Sequence, residues 1–327
     1  MDFTSLNLCQ PLLDALDEIG YVSPTPIQAQ AIPDLIEGRD IIGCAQTGTG
    51  KTAAFALPIL DAMAKDSWEG SRRIRALMLC PTRELATQIH DNIEQYARHL
   101  DIRSMAMFGG VSQRPQEKIL RRGVDILVAT PGRLLDLISQ GYVDLSYVQF
   151  LVLDEADRML DMGFIRDIRK ILAQIPKNRQ SLLFSATIPR SIVDLSRDML
   201  YDPVSVSITP ESATVEAIEQ SLMFVMRSDK RGLLTYIIEE ERPDKVLVFS
   251  RTKHGCNRIV RQLGQDGIEA LPIHGNKSQG ARENALRRFR NGTLQVLVAT
   301  DVASRGIDVS DISHVINLDL PNEPEVY

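Results

Sequence analysis

The stretch Asp40-Ile41-Ile42-Gly43-Cys44-Ala45-Gln46-Thr47-Gly48-Thr49-Gly50-Lys51-Thr52 decides the fold. Its first five residues form a short apolar run of strand length, and Ala53 to Met63 (AAFALPILDAM) read as a helix. A glycine loop lies between them. Strand, glycine-rich loop and helix in that order make a phosphate-cradling unit. Gly48 and Gly50 let the backbone curl so that its N–H groups and the helix N-terminus surround a β-phosphate, with Thr47 and Thr49 completing the loop. Lys51 then reaches the β/γ oxygens and the Thr52 hydroxyl reaches Mg²⁺. Ala45 stands where the general pattern has Gly, which narrows the family. A plain glycine turn before a helix is the bland alternative, and Gly-x-Gly-Lys-Thr in this context disfavours it.

Working outward, similar apolar runs recur at Ala76 to Cys80, Asp125 to Ala129, Val148 to Leu153 and Gln180 to Phe184, each followed by a helix-like stretch. Continuous rather than alternating apolarity means strands buried on both faces, and alternation with helices means a parallel α/β sheet. The pattern stops near Ser207. Ile208 to Ala217 (ITPESATVEA) is polar and lacks helical periodicity. Beyond it strands are expected at Ser221 to Val225, Lys245 to Ser250, Glu269 to Ile273, Thr293 to Ala299 and Val315 to Leu318. The expectation is two α/β domains, residues 1–207 and 218–327, joined by a linker over 208–217, as a length of 327 residues also suggests.

Composition narrows the function classes. Hydrophobic residues at 44% and charged residues at 24% exclude a disordered, collagen-like or coiled-coil chain. A formal net charge of −6 argues against a nucleic-acid binder working by bulk charge, though not against a local basic groove. Aromatics at 5% disfavour a platform that stacks unpaired bases. No window offers the run of roughly 18 apolar residues that a membrane span needs, and Met1-Asp2-Phe3-Thr4 does not begin a leader, so the cytoplasm is the default and no membrane is expected. Cys9, Cys44, Cys80 and Cys256 are scattered, and His90, His99, His254, His274 and His314 lack ligand spacing, so disulfides and a zinc site are not expected. Arg72, Arg73 and Arg75 read as a solvated loop, and Trp68 beside them has no assigned role.

A phosphate loop needs an acid at the end of a neighbouring strand to hold the metal. Phe150-Leu151-Val152-Leu153 runs straight into Asp154-Glu155-Ala156-Asp157. Asp154 suits Mg²⁺, and Glu155 can orient and deprotonate an attacking water, the second task in nucleoside triphosphate hydrolysis.

Asp-Glu-Ala-Asp in that place resembles the motif that names the DEAD-box RNA helicases, and the resemblance covers nearly the whole chain. Gly20-Tyr21-Val22-Ser23-Pro24-Thr25-Pro26-Ile27-Gln28, with Phe3 upstream, is similar to the family's Q motif, which implies adenine recognition by Gln28 and Thr25 with packing from Tyr21 and Phe3. Pro81-Thr82-Arg83-Glu84-Leu85-Ala86, Gly109-Gly110 and Thr130-Pro131-Gly132-Arg133 match the first-domain RNA-contact motifs. These imply RNA contacts from Pro81, Thr82, Arg83, Gly110, Thr130, Gly132 and Arg133. Ser185-Ala186-Thr187 matches the motif that couples hydrolysis to unwinding. Ser185 and Thr187 therefore join Glu155 and Lys51 as the implied catalytic set.

In the second half, Val248-Phe249-Ser250-Arg251-Thr252, Gln279 with Arg282, and Ala299-Thr300-Asp301-Val302-Ala303-Ser304-Arg305-Gly306-Ile307-Asp308 are similar to the later motifs. They imply Arg251 and Thr300 on the RNA backbone and Asp308 near the ATP ribose. Ile273 to Arg282 (IHGNKSQGAR) looks most like the RhlE-like bacterial branch. The family's last motif, His-Arg-Ile-Gly-Arg-Thr-Gly-Arg, would begin immediately after Tyr327. The expectation is therefore a second domain truncated at its C-terminus, without the family's arginine finger and impaired in turnover.

The resemblance implies two tandem RecA-like α/β domains with parallel sheets, forming an ATP-dependent RNA helicase that takes ATP and Mg²⁺. It also implies a monomer that grips RNA without reading sequence, with ribosome-assembly or RNA-decay proteins as partners. A hydroxyl, backbone N–H groups at a helix start and a guanidinium bind phosphates rather than base edges. An ATP-gated RNA clamp or inactive fragment is the rival that the missing arginines favour. A GTPase switch would want Asn-Lys-x-Asp, and Asn276-Lys277-Ser278-Gln279 lacks the Asp. A DNA translocase stays open, since backbone contacts do not settle duplex type.

Overall fold

A computed structural model describes residues 2–46, 48–66, 68, 70–208, 218–300, 309 and 311–320. The chain divides into two compact units, Met1–Ala217 and Ile218–Tyr327. In the first, strands β1 (Ile41–Cys44), β2 (Ala76–Leu79), β3 (Ser104–Met107), β4 (Ile126–Ala129), β5 (Phe150–Leu153), β6 (Gln180–Ser185) and β7 (Val204–Ser207) form one sheet in the order β3-β4-β2-β5-β6-β1-β7. Every pairing in it is parallel. Helices α1 (Gln10–Glu18) and α2 (Pro26–Ile36) precede β1, and between the strands run α3 (Lys51–Lys65), α4 (Arg83–Tyr96), α5 (Gln113–Arg122), α6 (Pro131–Ser139), α7 (Ala156–Asp161), α8 (Ile165–Leu172) and α9 (Arg190–Met199).

The continuous apolar runs fill two cores at once. Successive strand residues point to opposite faces. Met78, Val128, Val152 and Phe184 pack against α1 to α4 on one face, while Leu77, Leu127, Leu151 and Leu183 pack against α6 to α9 on the other. Phe55 on α3 meets Phe184 on β6 with ring centroids 5.5 Å apart, which fixes the start of α3 against the end of β6. Removing either ring would cost about 3–5 kcal/mol.

The second unit carries β8 (Val246–Phe249), β9 (Ala270–Ile273), β10 (Val296–Ala299) and β11 (His314–Asn317), a parallel sheet in the order β11-β8-β10-β9. Helices α10 (Lys230–Glu241), α11 (Lys253–Gln265) and α12 (Gln279–Arg290) accompany it. Leu234, Val248, Ile259 and Val298 fill one of its cores, and Leu247, Ile273, Phe289 and Leu297 the other.

Three expectations need correction. Ser221 to Val225 is not a strand: Leu222 and Phe224 are 71% and 93% exposed, because no described strand flanks the segment to take up its backbone and apolar side chains. β3 and β7 were not expected. Their sequences, SMAM and VSVS, are half-buried edge strands whose small polar residues break up the apolar run. Of the arginines at 72 to 75, Arg73 is exposed as expected, but Arg72 is half-buried and Arg75 is buried. Arg75 is ion-paired with Asp66 at 3.5 Å and Asp125 at 3.8 Å, while Arg72 bonds Asp101 and Asp125. Arg73 lies over the Tyr147 ring and Arg75 over Trp68, whose ring meets Tyr147 edge-on at 5.9 Å. This cluster sits where β2 and β4 begin, at the opposite end of the sheet from the phosphate loop.

Candidate functional site

All strands of the first sheet are parallel, so their carboxyl ends open on one edge, where ligands of such sheets bind. The sequence motifs divide along that edge. β1, β6 and β5 are consecutive neighbours and end in the glycine loop, in Ser185 to Thr187 and in Asp154 to Asp157. β2, β4 and β3, the other half, lead into Pro81 to Arg83, Thr130 to Arg133 and Gly109 to Gly110.

In the first half, Gly50 caps α3 at φ +89°, a conformation that L side chains rarely adopt. A Cβ there would lie 2.5 Å from Gln28 Nε2 and 3.0 Å from Thr25 Oγ1. Gln28 is buried at the start of α2; its Nε2 donates to the Gly50 carbonyl at 3.0 Å and its Oε1 accepts from the Thr25 amide at 2.9 Å. Thr25 Oγ1 is buried without a hydrogen-bond partner. Phe3 and Tyr21 lie with ring centroids 5.9 Å apart, and the Tyr21 hydroxyl meets that of Tyr96 at 3.0 Å. Tyr96 is buried, which pushes its hydroxyl above the usual tyrosine range.

Lys51, in the first turn of α3, is buried and folded back, its Nζ donating to the Ala45 carbonyl at 2.9 Å. It stands 3.9 Å from Asp154 Oδ1. Thr49 Oγ1 donates to the Gln46 carbonyl at 2.7 Å. Thr52 is half-buried in the same turn. Asp154 is 3% exposed, and burial raises its carboxyl above the usual aspartate value while Lys51 opposes the shift. Glu155 is raised by burial as well, against the attraction of Arg158.

The backbone at Glu155 is left-handed, φ 53° and ψ 50°, uncommon for a residue with a side chain. α7 begins there. Asp157 in its first turn accepts both the Thr187 amide and the Thr187 hydroxyl at 2.9 Å on Oδ2, and donates its own amide to Ser185 Oγ at 3.2 Å. Sequence reading assigned Asp157 no role, because its partners arrive from another strand.

In the second half, Thr82 caps α4, its Oγ1 accepting from the Leu85 amide at 3.2 Å, next to buried Pro81. The Arg83 guanidinium lies over Gly110 in the place a Cβ would occupy. Thr130 caps α6 and is nearly buried, and Gly132 has open space where a Cβ would stand. Arg133 donates from Nη2 to the Val111 carbonyl at 3.3 Å, while its buried Nη1 has no partner. Side chains from the segments after β2 and β4 therefore meet the loop after β3 at Gly110 and Val111.

In the second unit, Arg251 follows β8 and donates to the Leu320 carbonyl at 3.1 Å, and Thr300 follows β10, its amide 3.4 Å from the Ile273 carbonyl. Gln279 and Arg282 are buried in the first turn of α12. Thr47 and Asp308 lie outside the described residues. Among the described residues no group of three or more His, Cys, Asp or Glu could hold a metal, and no helix is long and apolar enough to cross a membrane. One buried carboxylate still suits Mg²⁺, which keeps waters and takes phosphate oxygens.

Residues 25–195 match the family model for the DEAD/DEAH box helicase, and residues 229–327 that for the helicase conserved C-terminal domain. The chain is 43% identical over 327 residues to the DEAD-box ATP-dependent RNA helicase CshA of Streptococcus pneumoniae, covering 100% of this chain and 62% of that one. It is 42% identical over 326 residues to the ATP-dependent RNA helicase DeaD of Escherichia coli, covering 99% and 51%. The chain thus spans between half and two thirds of the length of these relatives. Among solved structures, S. cerevisiae Dbp5 bound to RNA and ADP BeF3 aligns with a TM-score of 0.87 at 30% identity, covering 99% of this chain and 82% of that one. A DEAD box protein from Methanococcus jannaschii aligns at 0.60 with 38% identity, covering 100% and 87%.

Proposed function

The chain belongs to the DEAD/DEAH box helicase family, and from that premise we propose that it is an ATP-dependent RNA helicase, coupling hydrolysis to RNA duplex unwinding or remodelling of RNA–protein complexes. One observation carries this reading: a single sheet edge presents nucleotide motifs on β1, β6 and β5 and phosphate-gripping motifs on β2, β4 and β3.

Gln28 serves adenine. After its bonds to Thr25 and Gly50 it keeps one N–H and one lone pair, a donor and an acceptor suited to the adenine edge and reversed for guanine. The orphaned Thr25 hydroxyl lies beside it, with Tyr21 and Phe3 packing against the base. Thr47, Gly48, Thr49 and Gly50 wrap the phosphates. Lys51 leaves the Ala45 carbonyl for the β/γ oxygens. Asp154 and Thr52 would hold Mg²⁺, whose charge stabilises the phosphates. The fit rests on Asp154 itself, a buried carboxylate whose Oδ1 accepts the Glu155 amide at 2.9 Å and stands 3.9 Å from Lys51, and whose charge a bound cation would offset.

Glu155 takes the proton of the attacking water while the water oxygen bonds the γ-phosphorus and the bond to the bridging oxygen of ADP breaks. Ser185 and Thr187 transmit the state of that site through Asp157. Pro81, Thr82, Arg83, Gly110, Thr130, Gly132 and Arg133, with Arg251 and Thr300 in the second unit, hold the RNA backbone. Such contacts position a strand without reading its sequence. We place the two units as domains 1–207 and 218–327 of one monomeric motor, acting in the cytoplasm with ribosome-assembly or RNA-decay proteins.

ATP-dependent displacement of a short RNA duplex tests the reading. Arg133→Ala should weaken RNA affinity while leaving ATP affinity unchanged. ATP turnover indifferent to RNA of any sequence would contradict it.

A further inference from the structure

Arg158 has no role in the reading above, yet it is the side chain that touches the proposed base. It lies three residues after Glu155, in the first turns of α7, and its Nη1 donates to Glu155 Oε2. Glu155 is 5% exposed and sits at a left-handed backbone position. That conformation turns the chain between the end of β5 and the start of α7, and residue 155 is buried there beside buried Asp154. A buried carboxylate in such a turn would have several rotamers available. Arg158 selects one. It binds Oε2, and among the described residues no hydrogen bond reaches Oε1.

The other end of the arginine is also fixed. The Arg158 amide donates to Asp157 Oδ1 at 2.9 Å, and Asp157 Oδ2 holds Thr187. The turn 155–158 thus ties the base to the segment after β6.

We propose that Arg158 is a positioning residue for hydrolysis: its guanidinium holds the Glu155 carboxylate in the rotamer that presents Oε1 to the attacking water. This rests on Glu155 being the base. A charge-assisted bond is the right tool, because it is short, directional and strong enough to hold a buried carboxylate against rotation. Arg158 touches neither phosphate nor water in this scheme and acts only through Glu155.

The test is RNA-stimulated, single-turnover ATP hydrolysis with poly(U), beside ATP affinity measured separately. Arg158→Gln should lower the hydrolysis rate roughly tenfold through misplacement of the base, with ATP affinity within about twofold of the parent. Arg158→Lys should recover part of the rate. In a Glu155→Gln background, Arg158→Gln should change the residual rate less than about twofold, since the group it positions is gone. An unchanged rate in Arg158→Gln would overturn the proposal, as would a loss of ATP affinity matching the loss of rate, or full additivity with Glu155→Gln. Should Arg158→Gln lose its thermal transition, Arg158→Lys decides alone: a rate equal to its ATP-affinity change refutes positioning. A Glu155→Gln protein that hydrolyses at the parental rate would instead dismiss Glu155 as base, a separate failure.

Discussion

Replacing Gly50 with alanine should weaken ATP binding by roughly 100-fold. The new Cβ meets two penalties. At φ +89° a side chain costs about 1–2 kcal/mol relative to glycine. It would also stand 2.5 Å from Gln28 Nε2, so Gln28 must swing away and lose its bonds to the Gly50 carbonyl and the Thr25 amide. Each of those contributes about 1 kcal/mol. The sum, about 3 kcal/mol, corresponds to about two decades in affinity if the loop must be restored to this shape to bind. Calorimetric titration with ATP measures it directly. Gly38→Ala is the control, because Gly38 lies after α2 at φ +82° with open space around its Cβ position. It should lower Tm through backbone strain alone and leave ATP affinity unchanged. Gly50→Ala binding ATP within threefold of the parent would refute the idea that Gln28 sets the loop.

Lys51→Ala should lose ATP affinity, whereas Glu155→Gln should keep it and lose hydrolysis, as equilibrium binding and phosphate release would show. Glu155→Gln should also raise Tm by about 2–4 °C for each kcal/mol gained. Because burial raises the folded-state value of Glu155 above the ordinary 4.5, protonation favours the fold. That contribution is full below 4.5 and is lost as pH rises through the folded value. The Tm advantage of Glu155→Gln should therefore be present at neutral pH and vanish as pH falls toward 4.5; an advantage independent of pH would contradict the burial argument. Residues 1–207 expressed alone should melt cooperatively, because both cores flanking the first sheet are built within that span.

What the sequence made legible follows from range. Strands buried on both faces announce themselves as continuous apolar runs, so β1, β2, β4, β5 and β6 were readable, while edge strands β3 and β7 were not. Ser221 to Val225 had the composition of a strand without a described neighbour to make it one. The glycine loop and the acidic turn after β5 are local motifs whose geometry follows from adjacent residues. The clamp of Gln28 on Gly50 spans 22 residues, and the hold of Asp157 on Thr187 spans 30. Neither leaves a local pattern. Arg72 and Arg75 looked solvated because charge alone does not reveal that Asp101 and Asp125 wait on other segments.

In the function we propose, one sheet edge joins an ATP site to a sequence-blind RNA grip. Steady-state phosphate release from ATP, with no RNA, with poly(U) and with poly(A), tests it most directly. Both polymers should stimulate release to a similar degree, and Glu155→Gln should abolish the stimulated rate. Release unaffected by RNA, or stimulated by one polymer alone, would contradict it.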